Sequence, residues 1–251
     1  MKLRGKWQGM WTIVQFNWPF YAAVLVTLIA ALWGGFRLES SVMRLLCELA
    51  SAGALYFLVV SLAVSHQVYD RSDLYRWDWL KRALHGANRN RMIFCHSGFD
   101  ETSQELRTKL SDAKWVVLDH YDQGLMTEAS IRRARNKFPP TAGTIACSFD
   151  RWPVATDSVD VVFGLLAIHE LRSETERSAW FAEAKRCLKP GGRVVLAEHT
   201  RDLANFLAFG PGFLHFHSCD SWRRCWEQVG FHSTDEFRVT PWIRIFVIVI
   251  T

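Results

Sequence analysis

Two pairs of neighbouring His and Glu residues each adjoin a stretch that is predicted to be a buried strand. His169 and Glu170 follow the apolar run VDVVFGLLAI, and Glu198 and His199 end the stretch RVVLAEH. The ordinary pKa of His lies near neutral pH, so His169 and His199 are candidate catalytic bases toward a phenol, an amine or a hydroxyl. The alternative for His169 is structural, since a residue at this position can begin a helix and pack a loop.

The elements that position these pairs are predicted from residues 151–199. A loop, a buried strand, a helix, a Pro-Gly-Gly turn and a second buried strand follow one another in this segment. Continuous apolar runs are typical of strands covered on both faces of a parallel sheet, and a strand-helix-strand unit with short loops is right-handed. The chain is therefore predicted to be α/β, with both pairs at the carboxyl edge of the sheet, where ligands of such folds bind.

The same segment resembles the class I S-adenosylmethionine (SAM) dependent methyltransferases, in particular those of the ubiquinone-biosynthesis type. The resemblance rests on the loop and strand of residues 153–162, on Glu183 and Arg186, and on the turn and strand of residues 188–198. It extends more weakly from about residue 89 to residue 251 and does not cover the first 65 residues or so. It implies a Rossmann-like sheet, mostly parallel with antiparallel C-terminal strands, and SAM as the cofactor.

The turn after the first strand departs from the family pattern. In the family this strand ends in an acidic residue and a G-x-G-x-G turn, whereas the sequence MIFCHSGFD places Phe94, His96 and Asp100 at the acidic and outer glycine positions. Only Gly98 matches the pattern. A side chain at the outer positions crowds the methionine portion of SAM, and the lost charged hydrogen bond costs about 1.5 to 3 kcal/mol. A different cofactor pocket built by His96 and Asp100 is the alternative to loss of SAM.

Two acidic residues complete the cofactor positions that the resemblance implies. Asp119 ends the predicted second strand, where the ribose-binding acid of the family lies; the alternative is a strand-end Asp that caps the next turn. Asp150 follows the predicted third strand, one or two residues away from the expected adenine-contacting acid. The implied cofactor-binding residues are thus Gly98, Asp119, Asp150 and His96.

Two apolar runs within residues 1–66 predict a transmembrane hairpin, with spans at about residues 12–33 and 45–64. Each run is about as long as a bilayer crossing requires. A cleaved signal peptide is disfavoured because the second run follows the first. Basic residues flank the hairpin on both outer sides, while the connecting loop carries only Arg37 against Glu39. The positive-inside rule then places both termini and the domain of residues 89–251 on the cytoplasmic side of an inner or plasma membrane.

Three further segments are predicted to face lipid, solvent or a partner. Residues 67–88 predict an amphipathic juxtamembrane helix or linker that lies on the lipid surface or docks on the domain. The basic helix of residues 127–138 predicts a solvated face or a contact with a phosphate lipid or an acidic partner. Residues 206–217 are rich in aromatics around a Gly-Pro-Gly hinge, which is typical of a lid or a pocket wall facing a lipid-like substrate, the bilayer or a protein neighbour.

Composition and spacing exclude some classes of site. The net charge of +5 suits an anionic bilayer, and no nucleic-acid motif is present. The six Cys residues show no C-x-x-C spacing, so reduced thiols are predicted. His215 and His217 alternate with Phe216, but no third ligand has suitable spacing nearby, so no metal site is predicted.

Two functions from different classes remain compatible with the sequence. One is a membrane-anchored SAM-dependent methyltransferase that acts on a hydrophobic acceptor such as a quinone, an isoprenoid or a lipid. The other is a catalytically inactive methyltransferase-like accessory subunit of a larger membrane complex, respiratory or photosynthetic. The family-like strand-helix-strand pattern of residues 151–199 favours the first, and the altered MIFCHSGFD turn favours the second.

Overall fold

A seven-stranded sheet forms the centre of the structure, a computed structural model that describes residues 5–251. The strand order is β3-β2-β1-β4-β5-β7-β6. The five strands from β3 to β5 are parallel, and β7 runs antiparallel to both β5 and β6. This is the predicted Rossmann-like methyltransferase sheet. The strands are β1 (Arg91–His96), β2 (Lys114–Asp119), β3 (Thr144–Ala146), β4 (Val159–Leu165), β5 (Leu188–His199), β6 (Phe231–Thr240) and β7 (Ile243–Ile250).

Helices precede the sheet and cover both of its faces. Their bounds are α1 (Gln8–Phe16), α2 (Trp18–Arg37), α3 (Ser41–His66), α4 (Leu80–Ala83), α5 (Ser103–Lys109), α6 (Ala129–Lys137), α7 (Glu174–Cys187), α8 (Leu203–Phe209) and α9 (Cys219–Glu227). Short helical turns lie at Gln67–Arg71, Asp73–Tyr75, Ile168–Glu170 and Gly210–His215. Helix α7 begins with a capping box in which Ser173 and Glu176 each bind the other's backbone N–H.

Alternate residues of each central strand enter two separate cores. In β1, Ile93 and Cys95 pack with the residues of α6, α7 and α9, whereas Met92 and Phe94 pack with the segment before β1. Side chains of successive strand residues point to opposite faces, so a strand buried on both faces must be apolar throughout. The continuous apolar runs therefore predicted the centre of the sheet correctly.

The first predicted span is divided into two helices. Helix α1 ends at Phe16, and α2 begins at Trp18 with Pro19 in its first turn. Pro19 lacks an N–H and cannot continue the helix from α1, but it is tolerated in the first turn of a new one. Helix α1 packs on the domain that contains the sheet, because Phe16 lies edge-on against Phe99 and Phe138. The apolar helices are thus Trp18–Arg37 and Ser41–His66, rather than residues 12–33 and 45–64.

Both helices of the hairpin could cross a membrane by length and composition. Helix α2 has 20 residues, a mean hydropathy of 1.8 and no buried residue. At 1.5 Å per residue it is about 30 Å long, which matches the hydrocarbon thickness of a bilayer. Many of its apolar side chains are exposed, and Phe36 is 88% exposed. Helix α3 and the turns after it form a second apolar helical stretch that extends to Tyr75.

Residues 67–88 form short turns instead of the predicted amphipathic helix. Trp77 has a φ of +69°, in the left-handed region, and this conformation interrupts the helix. The apolar side chains that the prediction placed on one helical face are nevertheless buried in the protein, where Leu74, Trp77, Leu80 and Leu84 pack beside the sheet. The segment therefore docks on the domain in this structure, which is one of the two predicted alternatives.

Candidate functional site

A cavity of about 430 Å³ lies at the carboxyl edge of the sheet, between the ends of β1, β4 and β5 and the N-terminal helices. Most of its lining is aromatic or aliphatic. Helices α2 and α3 contribute Phe20, Tyr21 and Phe57, and the segment around α8 contributes Phe209 and Phe216. The predicted lid of residues 206–217 therefore forms one wall. The cavity joins the apolar hairpin to the edge of the sheet where ligands of this fold class bind.

A cluster of His and Glu side chains forms the polar wall of this cavity. It consists of Glu128, His169, Glu170 and His215, all of which line the cavity. His169 and Glu170 lie in the turn after β4, and His215 ends the turn after α8. Nε2 of His169 is 3.6 Å from Oε1 of Glu170, and Nε2 of His215 is 3.7 Å from the same oxygen. The two imidazoles meet edge to face with their centroids 5.0 Å apart.

Glu198 fixes the orientation of His169. Its side chain is 0% exposed, and its Oε1 accepts the backbone N–H of Ala167, Ile168 and His169 at 2.9 to 3.3 Å. Its Oε2 lies 2.6 Å from Nδ1 of His169. Because an ionised carboxylate can only accept, Nδ1 of His169 is the nitrogen that donates in this contact, and Nε2 is the nitrogen that lies on the cavity side. This dyad is a base oriented by a buried acid.

His215 is held by two acidic neighbours. Its Nδ1 lies 2.9 Å from Oε1 of Glu128, and Glu170 is on its other side. Burial lowers the pKa of His215, but the hydrogen bonds to Glu128 and Glu170 outweigh it and raise the pKa to about 9. Arg172 donates through Nη1 to the main-chain oxygens of His169 at 3.1 Å and His215 at 2.5 Å. It thereby ties the two segments that carry the imidazoles.

His199, the second predicted catalytic residue, has both ring nitrogens engaged within the protein. Nε2 lies 2.8 Å from the Tyr69 hydroxyl, and Nδ1 lies 2.8 Å from Oδ1 of Asn205. The ring also stacks on Phe216 with a centroid distance of 4.6 Å. Burial lowers its pKa to about 4. His199 therefore organises the wall as a neutral residue, whereas Nε2 of His169 lies on the cavity side. Glu198 pairs with His169 rather than with its neighbour in sequence.

The position expected to bind the ribose of SAM is filled by the protein itself. Asp119 is 2% exposed, and its Oδ1 accepts the backbone N–H of Gly98 and of Tyr121, both at 3.0 Å. Its Oδ2 accepts from Nη1 of Arg135 at 2.6 Å. The Arg135 guanidinium also lies 4.4 Å from the centre of the Tyr121 ring. Asp119 thus has about one lone-pair position left, on Oδ2, and would have to give up a present contact to accept from two vicinal hydroxyls.

The turn after β1 is closed in the same way. Gly98 has a φ of +93°, and the Tyr121 ring lies within 2.6 Å of where a Cβ on Gly98 would be. Asp100 accepts the N–H of Thr102 and Ser103 and so occupies the N-terminus of α5. His96 is buried beside Asp119, with Nδ1 3.5 Å from Oδ1, and burial lowers its pKa. In this conformation, contacts within the protein engage the groups that the family pattern assigns to SAM.

Asp150 lies apart from the other predicted cofactor residues. It is exposed, and its carboxylate accepts from Oγ of Ser148 at 2.5 Å. It borders a separate shallow groove beside β3, where Trp152 stacks on His120 with a centroid distance of 5.5 Å. The structure thus brings Gly98, His96 and Asp119 together and leaves Asp150 outside; none of these four lines the large cavity.

Helix α6 directs two of its basic side chains into the protein. Arg135 binds Asp119, and Arg133 donates through Nε to the main-chain oxygen of Phe16 at 2.6 Å. Only the remaining basic residues of this helix are therefore available for the predicted contact with solvent, a phosphate lipid or an acidic partner. Arg135, Tyr121 and Glu128 are site residues that the sequence pattern did not predict, because their contacts depend on how α6, the loop after β2 and the lid pack together.

Comparison with known proteins supports the fold. Residues 99–196 match the family model described as "Methyltransferase domain". No curated protein sequence matches the chain significantly. A SAM dependent methyltransferase from Aquifex aeolicus superposes with a TM-score of 0.52 at 16% identity, over 74% of this chain and 96% of that chain. The PH0226 protein from Pyrococcus horikoshii OT3 gives 0.50 at 14% identity, over 70% and 90%. The [4+2]-cyclase SpnF gives 0.50 at 12% identity, over 72% and 81%.

At these identities the solved structures are similar to this chain in fold. Together with the domain match they give a methyltransferase-like domain that follows two long apolar helices. Since SpnF is a [4+2]-cyclase, this fold is not restricted to methyl transfer. The function therefore depends on the cavity and its polar wall.

Proposed function

We propose that this chain is a membrane-anchored enzyme that takes a hydrophobic molecule from the bilayer into the cavity and acts on it at His169. The molecule is a quinone, an isoprenoid or a lipid-derived compound with an oxygen-bearing head group. One observation carries the proposal, namely that a single cavity runs from Phe20 and Phe57 of the hairpin to the imidazole of His169. Its volume of about 430 Å³ is in the range of small-molecule pockets.

The surface beside the hairpin supports entry from a membrane. Helix α8 and the turn after it expose large apolar side chains, and α8 lies against α3 through the Tyr56 hydroxyl, which donates to the Leu207 oxygen at 3.0 Å. An exposed apolar patch next to two membrane-length helices is suited to contact acyl chains. The exposed residues are Leu203, Phe206, Leu207 and Leu214. We infer from the basic residues flanking the hairpin that this patch faces the cytoplasmic leaflet.

The chemistry proposed for the polar wall is proton transfer. Where the bound molecule carries a hydroxyl, as a quinol or an isoprenoid alcohol does, Nε2 of His169 accepts its proton, and Glu198 stabilises the imidazolium that forms. The aromatic walls place the apolar tail and exclude water, while Glu170 and His215 lie where the head group would be. General-base catalysis of this kind contributes about 10²- to 10⁴-fold to a rate.

SAM-dependent methyl transfer to the same hydrophobic molecule is a second candidate. The match of residues 99–196 to a methyltransferase domain favours it. It requires Arg135 to leave Asp119 and Tyr121 to move away from Gly98, since both positions are filled. The inactive accessory role becomes the conclusion if neither a hydrophobic molecule nor SAM binds and the protein is recovered only within a larger membrane complex.

Ligand binding in nanodiscs tests these candidates. Decylubiquinone and farnesol are titrated into the full chain and into two cavity-filling variants, Ile131→Trp from α6 and Gly212→Phe from the lid. Arg132→Trp is the matched control, because Arg132 is the exposed neighbour of Ile131 on the same helix. We expect saturable binding by the native chain and the control and weaker binding by the filled variants. Equal binding by all four proteins would overturn the proposal.

A SAM titration of the same samples separates the two enzymatic candidates. We expect no saturable SAM binding at millimolar concentration, because the groups of Asp119 are already engaged. Micromolar binding that is lost in Asp119→Ala would instead support methyl transfer.

A further inference from the structure

We propose that His169, His215 and Glu170 bind one divalent transition-metal ion in the wall of the cavity. The ion would sit between Nε2 of each imidazole and Oε1 of the carboxylate. This inference adds a cofactor to the cavity of the proposed function, but the binding of the ion does not depend on which molecule fills that cavity.

The three ligand atoms are already near the spacing of a metal coordination shell. Glu170 Oε1 lies 3.6 Å from Nε2 of His169 and 3.7 Å from Nε2 of His215. All three atoms lie within 4.8 Å of one another. Ligands about 2.0 to 2.1 Å from a tetrahedral ion are roughly 3.3 Å apart, so small side-chain rotations close the shell.

The nitrogen of each imidazole that faces away from the ion is held by a carboxylate. Nδ1 of His169 lies 2.6 Å from Glu198, and Nδ1 of His215 lies 2.9 Å from Glu128. Such a contact fixes the tautomer that leaves Nε2 as the ligand and raises its basicity, as in the carboxylate–histidine–metal arrangement of known metal sites. Two independent contacts of this type point both Nε2 atoms at the same oxygen.

The charges around the cluster favour a cation. Three carboxylates surround the two imidazoles, and the guanidinium of Arg172 is the opposing charge among the contacts of the cluster. Arg172 binds mainly the main-chain oxygens of His169 and His215, although its Nη1 is also 3.4 Å from Nδ1 of His215. Binding of the ion would require His215, whose pKa is raised to about 9, to release its proton; with both imidazoles neutral, two negative charges remain in a partly buried site, which a divalent ion balances.

The donor set indicates which metals fit. Two imidazoles and one carboxylate suit Fe(II), Mn(II), Co(II) or Zn(II), whereas Mg²⁺ and Ca²⁺ prefer sites made of oxygens. A three-residue set leaves coordination positions for an oxygen of the molecule in the cavity. With the ion bound, Nε2 of His169 would be a ligand and could not also act as the base, and the ion would instead lower the pKa of the hydroxyl of the bound molecule.

The two nearby imidazoles of the lid turn in different directions. His215 faces Glu170, whereas Nε2 of His217 accepts from Nη1 of the buried Arg177 at 2.9 Å. The i, i+2 spacing that suggested a metal pair in the sequence thus supplies a single ligand. The other two ligands come from the turn after β4, more than 40 residues earlier in the sequence.

Cobalt titration of the full chain in nanodiscs tests the site. After chelator treatment, Co²⁺ is added and its visible absorption is followed, with Zn²⁺ as a competitor. The native chain is expected to bind one equivalent, and His169→Ala and His215→Ala to lose saturable binding. Glu198→Gln, which alters only the partner of a ligand, is expected to weaken binding by about 10- to 100-fold. His232→Ala, an exposed His of β6, is the control and retains binding.

The proposal would be overturned if the native chain showed no saturable Co²⁺ binding. It would also be overturned if His169→Ala bound Co²⁺ as tightly as the native chain. Near-ultraviolet circular dichroism of the same variants shows that they are folded, and decylubiquinone binding is measured in parallel. Metal binding without decylubiquinone binding leaves the metal site standing and counts against the proposed function. Decylubiquinone binding without metal binding would overturn the metal site and leave His169 as the proposed base.

Discussion

The contact between Arg135 and Asp119 can be tested by replacing Arg135 with Met, which keeps an aliphatic chain against Tyr121 and removes the guanidinium. The Asp119 carboxylate is 2% exposed and would keep two of its three hydrogen bonds, from Gly98 and Tyr121. Breaking a buried ion pair costs about 3 to 5 kcal/mol. Because Arg135 is 27% exposed, water can partly replace its hydrogen bond to Asp119. We therefore expect the free energy of unfolding to fall by about 2 kcal/mol.

The assay is thermal unfolding in nanodiscs, followed by near-ultraviolet circular dichroism. A loss of about 2 kcal/mol corresponds to a decrease in Tm of roughly 4 to 8 °C for a domain of this size. In the double variant with Asp119→Asn, the carboxylate that needed the guanidinium is gone. The double variant should therefore lose less free energy of unfolding than the two single variants lose in sum. Additive losses would refute the reasoning, because they would mean that the two side chains do not interact.

Three further substitutions test other parts of the molecule. Gly98→Ala should lower the free energy of unfolding by about 1 to 3 kcal/mol, because Gly98 has a φ of +93° and a Cβ would meet Tyr121; an unchanged Tm would contradict this. Burial lowers the pKa of His120 to about 4, so its neutral form stabilises the protein above the unfolded pKa of about 6.5, and this stability is lost as the pH falls toward 4. His120→Phe should therefore flatten the pH dependence of the unfolding free energy in this range by about 1.4 kcal/mol per pH unit, and a profile as steep as that of the native protein would be evidence against it. Tyr56→Phe removes the hydrogen bond to the Leu207 oxygen, so amide exchange in α8 should increase by roughly 5- to 10-fold, whereas unchanged exchange would show that this bond does not hold the lid.

The strands were predictable because each central strand is buried on both faces. Burial on both faces requires apolar residues at successive positions, which is visible in the sequence as a continuous run such as that of β4. The turn after β4 was also predictable as a site, since it lies at the carboxyl edge of the sheet. The same logic gave both His169 and His199 as candidate bases, and both line the cavity, so position at the edge of the sheet did not distinguish them.

The contacts that decide the chemistry were not predictable, because they join residues far apart in sequence. Glu198 pairs with His169 instead of its neighbour, and His215 meets Glu128, which lies 87 residues earlier. Arg135 belongs to a helix whose charges alone are equally compatible with a solvated face. Only the packing of α6 against the sheet directs its side chain toward Asp119.

The break between α1 and α2 illustrates a local signal that hydropathy conceals. The apolar character continues across Asn17, while Pro19 ends the possibility of one continuous helix. A hydropathy window averages over such a residue and therefore predicted one span beginning near residue 12.

Photolabelling in the membrane tests most directly whether a hydrophobic molecule enters the cavity. Membranes that contain the full chain are incubated with a farnesol analogue carrying a diazirine, irradiated and digested, and the labelled peptides are identified by mass spectrometry. We predict labelling of cavity residues such as Ile131 and Phe216, and loss of that labelling in Gly212→Phe. Labelling confined to the outer faces of α2 and α3, unchanged in Gly212→Phe, would show that hydrophobic molecules reach the hairpin but not the cavity beside His169.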